Sequence, residues 1–120
     1  MKLKNHKING AEIAEITADK PVFETVADGT DLLGNLYYQG FDKVILHAEN
    51  ISPGFFDLKT GIAGEILQKF TNHRVQLAIV GDFTKYSSKS LHDFILESNK
   101  GRQINFFSTT SEALNRLSKN

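Results

Sequence analysis

The sequence contains no cysteine. Disulfide scaffolds and cysteine zinc sites both need a thiol and are excluded, so the redox compartment has to be inferred from other features. There is no surplus charge of either sign, since 14 basic and 14 acidic side chains cancel. A protein that neutralises nucleic-acid phosphates carries a basic excess, so no nucleic-acid partner is expected. Long hydrophobic runs are also missing. The strongest apolar stretch, Val75 to Val80, is strand-length and far too short to cross a bilayer. Met1 to Lys7 is basic like the start of a secretory signal, but Asn9, Gly10, Glu12 and Glu15 interrupt any apolar run behind it. A cytoplasmic protein without a membrane span is therefore expected. Repeats, low-complexity segments and linkers are absent, and residues 1–120 read as one domain.

What is present suits a globular chain. With 40% hydrophobic residues over 120 positions, it is too apolar for disorder and long enough to bury a core without staples. Asn9-Gly10 separates two half-apolar runs and tolerates the positive φ of a hairpin turn. Leu32, Leu33, Leu36 and Tyr37 recur at helical spacing within Asp28–Gln39, and Gly40 supplies a stop. Lys43 to Ala48 reads as a strand buried on both faces. The longest helical signal runs from Ser52 to Asn72 through Leu58, Ile62, Ile66 and Phe70. Ser52-Pro53 fits a cap followed by proline at the first helical position. Asp57 equally fits the cap of a later start, with Pro53 to Phe56 as an irregular turn. Val75–Val80 is a strand, Ser88–Asn99 a helix with Ser87 or Ser88 as cap, and Gln103–Phe107 a strand. Thr109 with Glu112 fits a capping box before a short last helix.

The expected order is ββαβαβαβα, an α/β fold with a mostly parallel sheet and an antiparallel hairpin edge. Functional groups in such sheets gather at the carboxyl ends of the strands. That edge holds Ala48-Glu49-Asn50, Gly81-Asp82-Phe83 and Ser108-Thr109.

The segment Asn50 to Glu65 is the richest in chemistry. Ser52, Asp57 and Thr60 precede the small residues Gly61, Ala63 and Gly64. A hydroxyl at a helix start is a place where backbone N–H groups and the helix dipole favour an added anion. Phosphorylation of Thr60 would add about −1.5 to −2 charges. The plainer account is an ordinary capping hydroxyl, with small residues letting the helix lie close to the sheet.

The element order, together with this segment, resembles the STAS fold of anti-sigma-factor antagonists, whose second helix opens on Asp-Ser-Ser-Gly-Leu-Gly with the second serine as phosphoacceptor. Asp57, Thr60, Gly61 and Ile62 can be laid on that pattern, with Thr60 at the acceptor place. Two residues, Leu58 and Lys59, separate Asp57 from Thr60 where that family has one small residue, and the lysine changes the charge a partner would meet. The resemblance implies a non-enzymatic regulatory module. Thr60 would be its phosphoacceptor and Ser52, Asp57, Lys59 and Gly61 its interaction surface. Its partner would be a protein, a regulatory kinase or an anti-sigma-like factor. Phe56 to Phe70, Leu77 to Phe83 and Leu91 to Gly101 further resemble a small bacterial family of unknown function, DUF4180-like, which implies no activity. Val80-Gly81-Asp82 is similar to the strand end of SpoIIAA-like proteins, which share the STAS architecture.

The four histidines, His6, His47, His73 and His92, show no metal-type spacing, and neither a metal nor another cofactor is expected. His47, at the end of a strand, is placed for proton transfer beside Asp82 or for an ordinary hydrogen-bonded role. Glu49 and Asp82 would form a carboxylate pair there. His47, Glu49, Asp82 and Phe83 are thus the candidate edge of a pocket. The loop Gly81 to Ser90 carries hydroxyls and lysines but no P-loop spacing, and reads as a solvated connection. Adjacent aromatic pairs occur at Tyr37-Tyr38, Phe55-Phe56 and Phe106-Phe107, each able to send one ring inward and one outward. An apolar groove near Phe55, Phe56 and Phe83 would suit a small molecule or lipid, the second functional reading. An enzyme at the His47–Asp82 edge is the third. An exposed sheet edge leaves room for a homodimer without specifying one.

Overall fold

Asn9 and Gly10 both take positive φ, 52° and 82°, the backbone that a type I′ turn requires. They join β1 (Lys2–Ile8) and β2 (Ala11–Thr17) into an antiparallel hairpin that pairs Ile8 with Ala11 and His6 with Ile13. The structure, a computed structural model, describes residues 1–21 and 24–119. Helix α1 (Val26–Tyr38) starts two residues before the expected Asp28, because Thr25 and Asp28 cap each other. The Asp28 amide donates to the Thr25 hydroxyl and the Thr25 amide to the Asp28 carboxylate. β3 (Lys43–His47) follows, and a 3-10 turn over Ala48–Asn50 ends it one residue earlier than expected.

The expected helix from Ser52 to Asn72 is not continuous. It divides into a single turn, α2 (Pro53–Phe56), a 3-10 turn over Leu58–Thr60, and α3 (Ile62–Asn72). Gly61 causes the break: its φ of 78° lies in the left-handed region, which a right-handed helix cannot contain. Neither expected start opens the long helix, whose N-cap is Gly61 with no side-chain cap. Pro53 opens α2 at the first helical position, and the Asp57 carboxylate accepts the Lys59 amide at the 3-10 turn. β4 (Gln76–Val80) leads to a 3-10 turn over Phe83–Lys85 and then to α4 (Lys89–Lys100), whose cap is Ser88, accepting from the Leu91 amide. β5 (Ile104–Phe107) and α5 (Thr110–Leu117) complete the described elements, with Thr109 capping α5 through the Glu112 amide.

The five strands lie in the order β1-β2-β3-β4-β5, antiparallel at the hairpin and parallel from β2 onward. Right-handed crossovers between successive parallel neighbours place every crossover helix on the same face. The packing agrees. Ala14, Val44, Leu46, Leu77, Ile79 and Phe106 meet Leu32, Leu36, Ile66, Phe70 and Leu91 from α1, α3 and α4 in the main core. The alternate residues Ile13, Ile45, Ala78 and Val80 meet Ala113 and Leu117 of α5 on the other face. Strand β5 is short, and the Asn99 side chain accepts the Phe106 amide at 2.7 Å and donates to its carbonyl at 3.2 Å, occupying that edge as a strand would.

The aromatic pairs divide less evenly than expected. Phe55 and Phe56 are both buried, whereas Tyr37 and Tyr38 are 56% and 92% exposed, because α1 sends Leu32, Leu33 and Leu36 into the core instead. Only Phe106-Phe107 alternates, one ring in each core cluster, as strand geometry demands.

Candidate functional site

The carboxyl edge of the sheet brings together most of the expected residues. Thr60 is exposed at the end of the 3-10 turn that precedes α3. Its hydroxyl lies 2.8 Å from the Gly54 carbonyl and 2.9 Å from that of Asp57, so its single proton is shared between two acceptors. The same oxygen accepts the Ile62 amide at 3.3 Å. Thr60 thus ties α2, the 3-10 turn and the first residue of α3 together. Lys59 and Asp57 are exposed beside it, and Ser52, at the head of α2, makes no capping bond with its side chain. A shallow cleft of about 230 Å³ between Pro53, Phe56, Asp57, Tyr86, Ser87 and Ser88 adjoins this loop, with the Phe56 and Tyr86 rings stacked 5.2 Å apart.

A second cleft, of about 320 Å³, is lined by His47, Ala48, Glu49, Val80, Gly81, Asp82 and Lys85. Three of the four expected pocket residues therefore do share one recess. Phe83 does not line it: its ring packs between Phe56 and Phe106 and belongs to the main core. Phe55 and Phe56 are buried and Phe83 packs on Phe56, and of the three only Phe56 borders the shallow cleft beside Tyr86. The cleft is tight at its base. A β-carbon on Gly81 would stand 2.5 Å from that of Ala48, and neither atom can move without its backbone. Gly81→Ala is expected to cost about 1–3 kcal/mol of stability, read as a lower denaturant midpoint at unchanged slope. An unaltered midpoint would mean that the two strand ends separate freely.

The expected partnership of His47 with Asp82 is not formed. The Asp82 carboxylate accepts the Thr84 hydroxyl at 2.5 Å and the Thr84 amide at 3.1 Å, and these bonds hold its pKa below the ordinary carboxylate value. His47 turns to Glu15 instead. Its Nε2 lies 2.7 Å from Glu15 Oε2, and His6 Nε2 lies 2.7 Å from Glu15 Oε1. All three side chains are at least 85% buried. An ionised carboxylate only accepts, so both imidazoles carry their proton on Nε2. Burial pushes the Glu15 carboxyl up, but the hydrogen bonds and charges of His6 and His47 outweigh it and leave the pKa lowered. The carboxylate stands between the two nitrogens rather than beside them. Accordingly, no group of three histidine or acidic side chains among the described residues is arranged to hold a metal ion.

This triad was missed because His6 and Glu15 look unrelated in the sequence. The signal was nevertheless there. A two-residue Asn-Gly loop pairs Ile8 with Ala11 and hence His6 with Ile13, which puts Glu15 on the same face and one step diagonal.

Residues 8–117 match the family model described as Domain of unknown function (DUF4180). The chain belongs to that family. No curated protein and no solved structure matches it. The family carries no assigned activity, so function has to be read from the geometry. No helix among the described residues is long and apolar enough to cross a membrane.

Proposed function

We propose that this DUF4180 chain is a non-enzymatic, STAS-like interaction module of the cytoplasm whose docking surface is the loop from Ser52 to Gly61, switched by phosphorylation of Thr60. The observation that carries the reading is the position of the Thr60 hydroxyl, exposed yet bound to the Gly54 and Asp57 carbonyls. A partner kinase would pass the γ-phosphoryl group of a nucleoside triphosphate to Thr60 Oγ1 and take up the hydroxyl proton. Both carbonyl bonds depend on that proton, so modification would release the loop. It would also place about two negative charges beside Lys59 and next to the start of α3, which has no side-chain cap. The neighbouring cleft with Tyr86, Ser87 and Ser88 extends the surface that a protein partner would cover.

Two measurements test this. Intact-mass analysis of the protein from its native cells is expected to show a phosphorylated fraction that Thr60→Val lacks. Thr60→Glu is expected to change recovery of the kinase or anti-sigma-like partner. A chain never modified at Thr60, with Thr60→Glu retaining every wild-type partner, would remove the proposal. Thr60→Val, which keeps the shape but loses the hydroxyl, is expected to cost about 1 kcal/mol in urea denaturation, with Thr60→Ser recovering most of it.

A further inference from the structure

At the opposite, amino edge of the sheet lies a recess of about 260 Å³ lined by Gln76, Arg102, Arg116 and Lys119. The residues come from separate elements. Gln76 opens β4, Arg102 leads into β5, Arg116 sits in the last turn of α5, and Lys119 lies two residues past that helix. Three cations thus converge in a protein of zero net charge. None of them is ion-paired with a carboxylate among the described residues; the pairs formed by lysine are Lys7–Glu12, Lys89–Asp93 and Lys100–Glu97. Asp42, whose carbonyl accepts the Gln76 amide, belongs to the neighbouring recess with Lys43.

A cation at the end of α5 complements the helix dipole. Lys43 already serves that end, donating to the Leu117 carbonyl at 2.8 Å, and the dipole offers no reason for Arg102 on another element. Arg116 is held in place as well. Its guanidinium donates to the Gly101 carbonyl at 2.8 Å, and Asn105 donates to the same oxygen at 3.0 Å. Like charges that line one concavity repel one another, and an anion there relieves the repulsion and gives the exposed Arg102 and Lys119 a common partner beside the anchored Arg116. Guanidinium forks suit a planar or tetrahedral oxyanion, while the ammonium adds a point charge.

We propose that this recess binds a small phosphorylated molecule, its phosphoryl oxygens taken by Arg102, Arg116 and Lys119 with the side-chain amide of Gln76 at the rim. The volume, enough for roughly eight or nine waters, accommodates a phosphate monoester with a small organic part. The site is independent of Thr60, which stands at the other end of the sheet.

The test is a titration of the full chain with inorganic phosphate, followed by ¹H–¹⁵N spectra at constant ionic strength balanced with chloride. Saturable shifts centred on Gln76, Arg102, Arg116 and Lys119 are expected. Arg102→Gln is expected to weaken binding about tenfold. Arg102 is exposed and makes no hydrogen bond within the described residues, so this variant keeps its fold. Arg116→Lys should weaken binding less than Arg116→Gln. Shifts that grow without saturating, or spread evenly over exposed lysines such as Lys2 and Lys89, would overturn the proposal. So would an unchanged affinity in Arg102→Gln, or saturation by citrate while phosphate is inert.

Discussion

Phe70→Ala is expected to remove about 3–5 kcal/mol from the free energy of unfolding. Phe70 is 0% exposed and among the largest fully buried side chains. It closes the inner face of α3, where Ala63, Ile66 and Leu67 are also buried, against the sheet. Truncation forfeits both the transfer energy of the ring and the contacts around the void, because close-packed neighbours relax only in part. Domains of this size hold roughly 5–15 kcal/mol in all, so the variant should forfeit from about a fifth to all of its stability. Urea denaturation followed by far-ultraviolet circular dichroism measures it. Leu96→Ala provides the contrast: that side chain is 65% exposed on α4, and its loss should stay within about 0.5 kcal/mol. Equal losses in the two variants would mean that α3 is not seated as described.

The second large effect is at Glu15. Glu15→Ala leaves two buried imidazoles without their acceptor and is expected to cost about 2–4 kcal/mol. Glu15→Gln separates charge from shape. Its amide oxygen accepts from one imidazole and its NH₂ donates to the other, provided that ring shifts its proton to Nδ1. The glutamine variant should therefore lose little at neutral pH. With no carboxyl at this position, the variant should also carry no pH-dependent contribution there. The wild type behaves otherwise. The Glu15 pKa is lower in the folded chain than its ordinary 4.5. Its contribution is therefore complete above that value and disappears as pH falls through the folded one, where both states hold the proton. Denaturant midpoints compared across the acid range should show the wild type losing this contribution as pH falls and the glutamine variant lacking that loss. Parallel curves would exclude Glu15 as the holder of the two histidines.

The fold was legible wherever local chemistry and tertiary packing demand the same thing. Asn9-Gly10 needs positive φ, and the turn supplies it. Val44 to Leu46 and Leu77 to Ile79 are apolar without alternation because the two cores cover both faces of the central strands. The helix from Ser52 to Asn72 was overread for the opposite reason. The four-residue spacing of Leu58, Ile62, Ile66 and Phe70 holds across Gly61, yet a single left-handed residue there divides it. In the site, strand order alone sufficed to bring His47, Glu49 and Asp82 to one edge. Which partner His47 chooses depends on the diagonal between β1, β2 and β3, and a residue-by-residue reading of His47 does not see across strands. The amino-edge recess was less visible still, because Gln76, Arg102, Arg116 and Lys119 meet only once α5 has crossed back over the sheet.

Strand neighbours in space are also neighbours along the chain. The sheet can therefore grow by one strand at a time as synthesis proceeds, each new strand finding its template already laid down and no segment held open for a later insertion. The second face is the exception. Ile13, Ile45, Ala78 and Val80 wait for Ala113 and Leu117, so an apolar surface stays wet until α5 has left the ribosome. It is in that interval, rather than in the finished protein, that a nascent chain of this topology is most exposed to aggregation.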